Sequence, residues 1–156
     1  MAANPFFQSW ATPFELPPFS VIKTEHFGEG FERGMAEHRQ EMAVIASDSA
    51  APTYANVIDA FERSGRLLDK VSSVFWKLAS ADTNDELQAI ERDIAPKLAA
   101  HYAAVYMDAA LFKRVDALYG KRDTLKLDDE QRRVLELIHK DFVRAGAKLT
   151  GKESQR

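Results

Sequence analysis

The 156-residue sequence contains no cysteine. Disulfides, thiolate metal ligands and a cysteine nucleophile are therefore excluded, and the composition fits a reducing compartment. No stretch approaches the ~18 apolar residues that a membrane span requires. The first residues, MAANPFFQSW, have neither a basic region nor a continuous apolar run, so they do not read as a secretory signal. An excess of one charge is also missing: 21 Lys and Arg stand against 24 Asp and Glu, for a formal net charge of -3. That balance offers no electrostatic footprint for nucleic acid or an anionic membrane. Together these absences predict a cytoplasmic chain with neither membrane nor nucleic acid as partner.

The motifs of catalysis are missing as well. His26, His38, His101 and His139 are the four histidines. None lies in H-E-x-x-H, the spacing that sets two imidazoles and a glutamate on one helical face. The inverted order, H-x-x-E-H, fails because Ile22 and Gly34 occupy the positions three before Glu25 and Glu37. Gly28-Glu29-Gly30 opens like a dinucleotide fingerprint, but it follows no strand pattern and its third glycine, Gly34, comes one residue late. Neither a phosphate-cradling G-x-x-x-x-G-K-[ST] loop nor a G-x-S-x-G nucleophile elbow occurs. The residues thus predict no catalytic, cofactor-binding or metal-binding position. His38 is expected at a seam between helices and the other histidines at the surface.

What is present is a globular composition, 46% hydrophobic and 29% charged, with ten Phe, four Tyr and two Trp as bulky anchors. Residues 1–22 read as an extended arm. Pro5, Pro13, Pro17 and Pro18 forbid a continuous helix, yet Phe6, Phe7, Trp10, Phe14, Leu16, Phe19 and Val21 are too apolar for a free linker. Packing is expected for the arm, with Trp10, Phe14 and Phe19 at least partly buried, either on its own domain or across another part of a larger protein.

From about Thr24 onward the apolar spacing turns helical. Phe27, Phe31, Met35, His38, Met42 and Ile45 mark one face of a helix that ends near Ser47. A second helix is predicted from an N-cap at Thr53 to about Ser80, with Glu62 and Arg66 paired on its outer side. Thr83 to Glu86 reads as a capping box opening a third helix, which Pro96 should kink or break. Helix then resumes over 97–118 with an interruption around Asp108, and a last helix runs from Asp128 or Asp129 to near Gly146. The fold class is all-α: an antiparallel bundle of four to five long helices over 23–150 behind the arm, with a polar end at 151–156.

Three stretches together, 4–46, 52–115 and 127–149, are more specific than composition; their strongest elements are Pro17-Pro18-Phe19 leading into Glu25-His26-Phe27, Ala60-Phe61-Glu62-Arg63-Ser64-Gly65, and Ile94-Ala95-Pro96-Lys97-Leu98. In this order, and across roughly 4–150, the chain resembles the N-terminal region of the thimet-oligopeptidase family of zinc metallopeptidases, on its peptidyl-dipeptidase branch. Members usually carry a proline near Thr24 and lack glycines at the positions of Gly28 and Gly30. Those departures bear on the stability of the first helix.

The resemblance implies a mostly helical enzyme with a deep channel, whose zinc is held by the two histidines of H-E-x-x-H and a downstream glutamate. None of those residues has a counterpart here, so zinc belongs to the implied parent and none is expected in this chain. The chain is expected to be a piece of a longer protein, with the remainder of the peptidase and its short-peptide substrates as partners. Its expected role is a non-catalytic portion of the channel wall.

Two other functions compete with that one: an independent helical interaction module docking through its arm, and a stand-alone hydrolase with an unobvious site. A piece cut from a larger helical protein should also expose the face that met the rest. Trp76, Tyr102, Tyr106, Leu111, Phe112 and Leu149 are the expected exposed residues, with a homodimer as one way to cover them.

Overall fold

A computed structural model describes residues 3–148. Among them there is no strand, as the apolar spacing predicts. The helices are α1 (Glu25–Ser47), α2 (Ala60–Arg63), α3 (Arg66–Ala81), α4 (Asp85–Tyr106), α5 (Ala109–Tyr119) and α6 (Asp129–Arg144). Leu149 and the polar end at 151–156 lie outside the described residues. Backbone contacts divide the chain into two compact units, one drawn from Met1–Arg39 and Gly65–Ala100, the other from Gln40–Ser64 and His101–Arg156.

The first unit is built on aromatic packing. Phe6 from the arm meets Phe27 of α1 with ring centroids 5.3 Å apart, and the edges of Phe27 and Phe31 meet Phe75 of α3 at 5.2 and 5.3 Å. Met35, Leu68, Val71, Leu87 and Ile94 complete this core. Burying each such side chain contributes roughly 1.5–3 kcal/mol. The glycines of α1 have a use here. A Cβ on Gly34 would lie 2.9 Å from the Leu68 Cα, and one on Gly30 would lie 3.0 Å from Val71. At Gly34 the backbones of α1 and α3 are therefore too close for a larger residue, while at Gly30 the Val71 side chain fills the space. Farther along, the ring of His38 lies against Gly65. Gly30, Gly34 and His38 thus meet Val71, Leu68 and Gly65 in descending order, which makes the two helices antiparallel.

The second unit gathers Val57, Ile58, Leu111, Val115, Leu118, Leu135 and Phe142, all fully or almost fully buried. Its elements are closed by their own polar residues. Thr53 and Asn56 exchange reciprocal side-chain to backbone hydrogen bonds of 3.1 and 2.7 Å, opening a widened π-type turn at Tyr54–Asp59. Asp108 accepts from the Leu111 amide at 2.8 Å to start α5. Asp128 and Gln131 form a capping box at the start of α6. At its far end, Ala147 N–H donates to the Phe142 carbonyl and Gly146 N–H to that of Val143, with Gly146 at φ 95°. This is the left-handed glycine stop that ends many helices.

Several expectations need correction. The helix expected from Thr53 to Ser80 is broken at Ser64 and Gly65, because Ser64 is extended and Gly65 is left-handed at φ 71°. The expected Glu62–Arg66 pair straddles that break, and Arg63 instead pairs with Asp59 at 3.4 Å. Asn84 rather than Thr83 caps α4, accepting from the Leu87 amide at 2.9 Å. Pro96 does not end α4, which runs through it. Pro96 is exposed, so its ring and the backbone bond it removes face solvent.

The arm is shorter in secondary structure than its apolar content suggests, with two 3-10 turns at Pro5–Phe7 and Pro13–Glu15. Phe6 is buried and Trp10 half-buried, but Phe14 is 96% exposed and Phe19 53% exposed. The prolines explain the difference: they set the direction of the chain between residues 13 and 18 and leave these rings no helix face to join. Leu111 and Phe112, expected at the surface, are buried in the second core, while Tyr106 is half-buried. The two lie on the inner face of α5, whose stripe continues through Val115 and Leu118. Trp76 and Tyr102 are exposed as expected, at 39% and 38%.

Candidate functional site

The histidines supply no reactive constellation. His26 is half-buried and its Nδ1 accepts a 2.9 Å hydrogen bond from the Lys23 amide. His38 is buried, as expected for a seam. His101 and His139 are buried too, which corrects their expected surface position. His101 lies on the inner side of α4, against the edge of Tyr102. His139 lies 2.9 Å from the Asp116 carboxylate through Nε2, and Tyr119 stacks on its ring at 3.7 Å, nearly parallel. Phe112 approaches the same ring at 5.8 Å. A carboxylate beside an imidazole is half of a nucleophile-activating relay. Here aromatic rings cover the imidazole and the described residues bring no nucleophile to it, so the pair reads as a hydrogen-bonded core histidine. Among the described residues, no three His, Asp or Glu side chains converge as metal ligands.

Arg114 on α5 is buried as well. Its guanidinium donates to the carbonyls of Asp48 and Ala50 and pairs with the Asp48 carboxylate at 3.1 Å. Five donors in a planar fork suit this task, since one side chain can hold the turn after α1 at several points. No spacing rule reveals it, because the partners are 64 and 66 residues away.

The feature with the form of a binding surface belongs to the first unit. The arm borders a groove of about 930 Å³, lined by Asn4, Trp10, Pro18, Val21, His26 and Glu29 among others. Its near end is pinned. Asn4 donates to the His26 carbonyl at 3.0 Å and to the Glu29 carboxylate at 3.1 Å. The Trp10 indole N–H donates to the Pro5 carbonyl at 3.0 Å. Lys70 of α3 reaches across to the carbonyls of Phe6 and Gln8 at 3.2 and 2.6 Å, and its ammonium sits 4.1 Å from the Trp10 ring centroid. Partial burial lowers the Lys70 pKa, and the Glu15 carboxylate acts in the opposite direction. The far end of the arm turns outward. Phe14 and Glu15 both adopt left-handed φ, 57° and 53°, and Leu16 and Val21 are 57% and 52% exposed. Such a surface can bury apolar area, and the imidazole of His26 is engaged by the Lys23 amide and the Glu29 carboxylate by Asn4.

No protein-family model matches the chain. Among curated proteins it is 40% identical over its whole length to dipeptidyl carboxypeptidase of Salmonella typhimurium, of which it covers 23%. It is 42% identical over 94% of its length to dipeptidyl carboxypeptidase of Escherichia coli, of which it covers 21%. Oligopeptidase A of Escherichia coli is similar at 25% identity over 93% of the chain, again with 21% of that protein covered. The chain thus spans between a fifth and a quarter of the length of the curated relatives it matches. The resemblance drawn from the sequence, to the N-terminal region of the thimet-oligopeptidase family on its dipeptidyl-carboxypeptidase side, is shown over the whole chain.

Proposed function

We propose that this chain is the non-catalytic N-terminal helical portion of a cytoplasmic zinc metallopeptidase of the peptidyl-dipeptidase type. In that enzyme it forms part of the wall of a channel that admits short peptides. The observation that carries this reading is identity of 40% and 42% to dipeptidyl carboxypeptidases along nearly all of this chain, set against the 23% and 21% of those proteins that it covers.

The residues present do not fit a zinc ion. The sequence lacks H-E-x-x-H, and no three ligands converge among the described residues. No step of peptide hydrolysis is therefore assigned to these side chains, and on this reading the metal and its general base belong to the remainder of the enzyme. Shape is what this portion contributes. Cores of interlocked aromatic and aliphatic side chains keep their form under load, and a rigid wall around a narrow channel excludes folded proteins while passing extended peptides.

The coding sequence downstream of Arg156 tests the reading. An open frame that carries H-E-x-x-H and brings the product to the length of the curated relatives is expected. A stop codon directly after Arg156 would refute the proposal.

A further inference from the structure

We infer that the outward-turned end of the arm, Phe14, Leu16, Phe19 and Val21, is the surface on which the remainder of the longer peptidase chain docks. This rests on the reading of the chain as part of such an enzyme and names the place where the two parts meet. Single exposed apolar residues are ordinary, whereas clustered ones mark an interaction surface. The described residues of the first unit have five large apolar side chains that are exposed, and four of them fall within positions 14–21, with Trp76 the fifth.

The stretch leading to the cluster is held in place. Asn4 and Lys70 tie it to α1 and α3 through four hydrogen bonds, and the Trp10 indole closes a fifth onto Pro5 within the arm, so the cluster follows a fastened segment rather than a loose one. Phe14 is almost wholly in water and has a left-handed backbone that a non-glycine residue adopts only at a cost. A conformation that exposes a phenyl ring and strains its backbone is compensated when that ring is buried by a neighbour. The occupant follows from chain length. Relatives that match all or 94% of this sequence carry more than three-quarters of their length outside it, and apolar surface left on the matched part is the expected imprint of that missing mass.

Limited chymotrypsin digestion of this chain and of the full-length peptidase that contains it tests the inference, because the protease cuts after accessible phenylalanine. Cleavage after Phe14 and Phe19 should be rapid in the 156-residue chain and slower by about tenfold or more in the full-length enzyme, where docking suppresses local opening. Phe14→Ser with Phe19→Ser should leave the thermal midpoint of the short chain unchanged and lower that of the full-length enzyme. Equal cleavage rates in the two proteins would overturn the inference while leaving the reading of the chain as part of a peptidase intact. Protection that grows with concentration in the short chain alone would assign the surface to a second copy and overturn it as well. If the gene encodes no longer peptidase, the reading itself fails and the docking surface falls with it.

Discussion

At the scale of single residues, the strongest polar commitments are ones that no local pattern announces. Arg114 sits mid-helix in a stretch whose apolar neighbours mark it as core, and a sequence reading has no means of finding carbonyls more than sixty positions away. Removing it strips the Asp48 and Ala50 carbonyls and the Asp48 carboxylate of their donor and empties the space its buried stem fills, and such losses cost about 1–3 kcal/mol. Arg114→Ala should therefore lower unfolding free energy in urea by that order. Arg114→Lys should recover only part of it, since an ammonium keeps the charge but loses the planar fork. Tyr106 offers a second residue-scale check. Burial first, and then the carboxylate of Asp141, raise its pKa above the ordinary tyrosine value. The folded state therefore holds the phenolic proton where the unfolded chain has released it. The resulting stability is complete below the ordinary value of about 10 and is lost as pH rises through the folded pKa. Urea titrations above pH ~10 should show a steeper loss for the natural protein than for Tyr106→Phe, and parallel curves would contradict this.

At the scale of elements, the glycines of α1 separate two ideas that composition merges. Gly28 and Gly34 look equally unfavourable for a helix, by up to ~1 kcal/mol each relative to alanine. Their surroundings differ: nothing lies within 4 Å of a Cβ placed on Gly28, whereas on Gly34 it would strike the backbone of α3. Gly28→Ala should accordingly stabilise the protein by about 0.5–1 kcal/mol. Gly34→Ala should destabilise it by about 1–3 kcal/mol, because overpacking outweighs the propensity gain. Chemical denaturation of the two variants decides the matter, and shifts of the same sign would contradict the packing argument. The element map was largely legible. Apolar spacing and cap residues located α1, the interruption around Asp108, a last start at Asp128 or Asp129 and the stop near Gly146. It failed at Ser64-Gly65, where an apolar stripe continues across a backbone that does not, since periodicity registers side chains and is blind to a left-handed residue between them. It failed in the opposite sense at Pro96, because a proline rule cannot tell whether the lost hydrogen bond faces solvent.

At the scale of the whole molecule, the resemblance to known peptidases was legible and the surface only in part. The resemblance rests on runs of residues, and identities of 40% and 42% to dipeptidyl carboxypeptidases agree with it. Exposure depends on which apolar side chains find a core. Leu111 and Phe112 find one, whereas Phe14 does not, although all three are equally apolar on paper. The assignment as a non-catalytic portion leads to an expectation for the purified chain: quenched short peptides incubated with it remain intact, with or without added zinc. Hydrolysis that copurifies with the chain and is abolished by a chelator would overturn it. The placement of the indole side chains has a further, optical consequence. Both tryptophans of the sequence, Trp10 and Trp76, fall within the first unit and none within the second. Intrinsic fluorescence excited at the indole band therefore reports on the first unit alone, while tyrosine emission must serve for the second. The Lys70 ammonium that fastens the arm also lies over the Trp10 ring, so a change in the emission wavelength of that indole is expected when the arm is released.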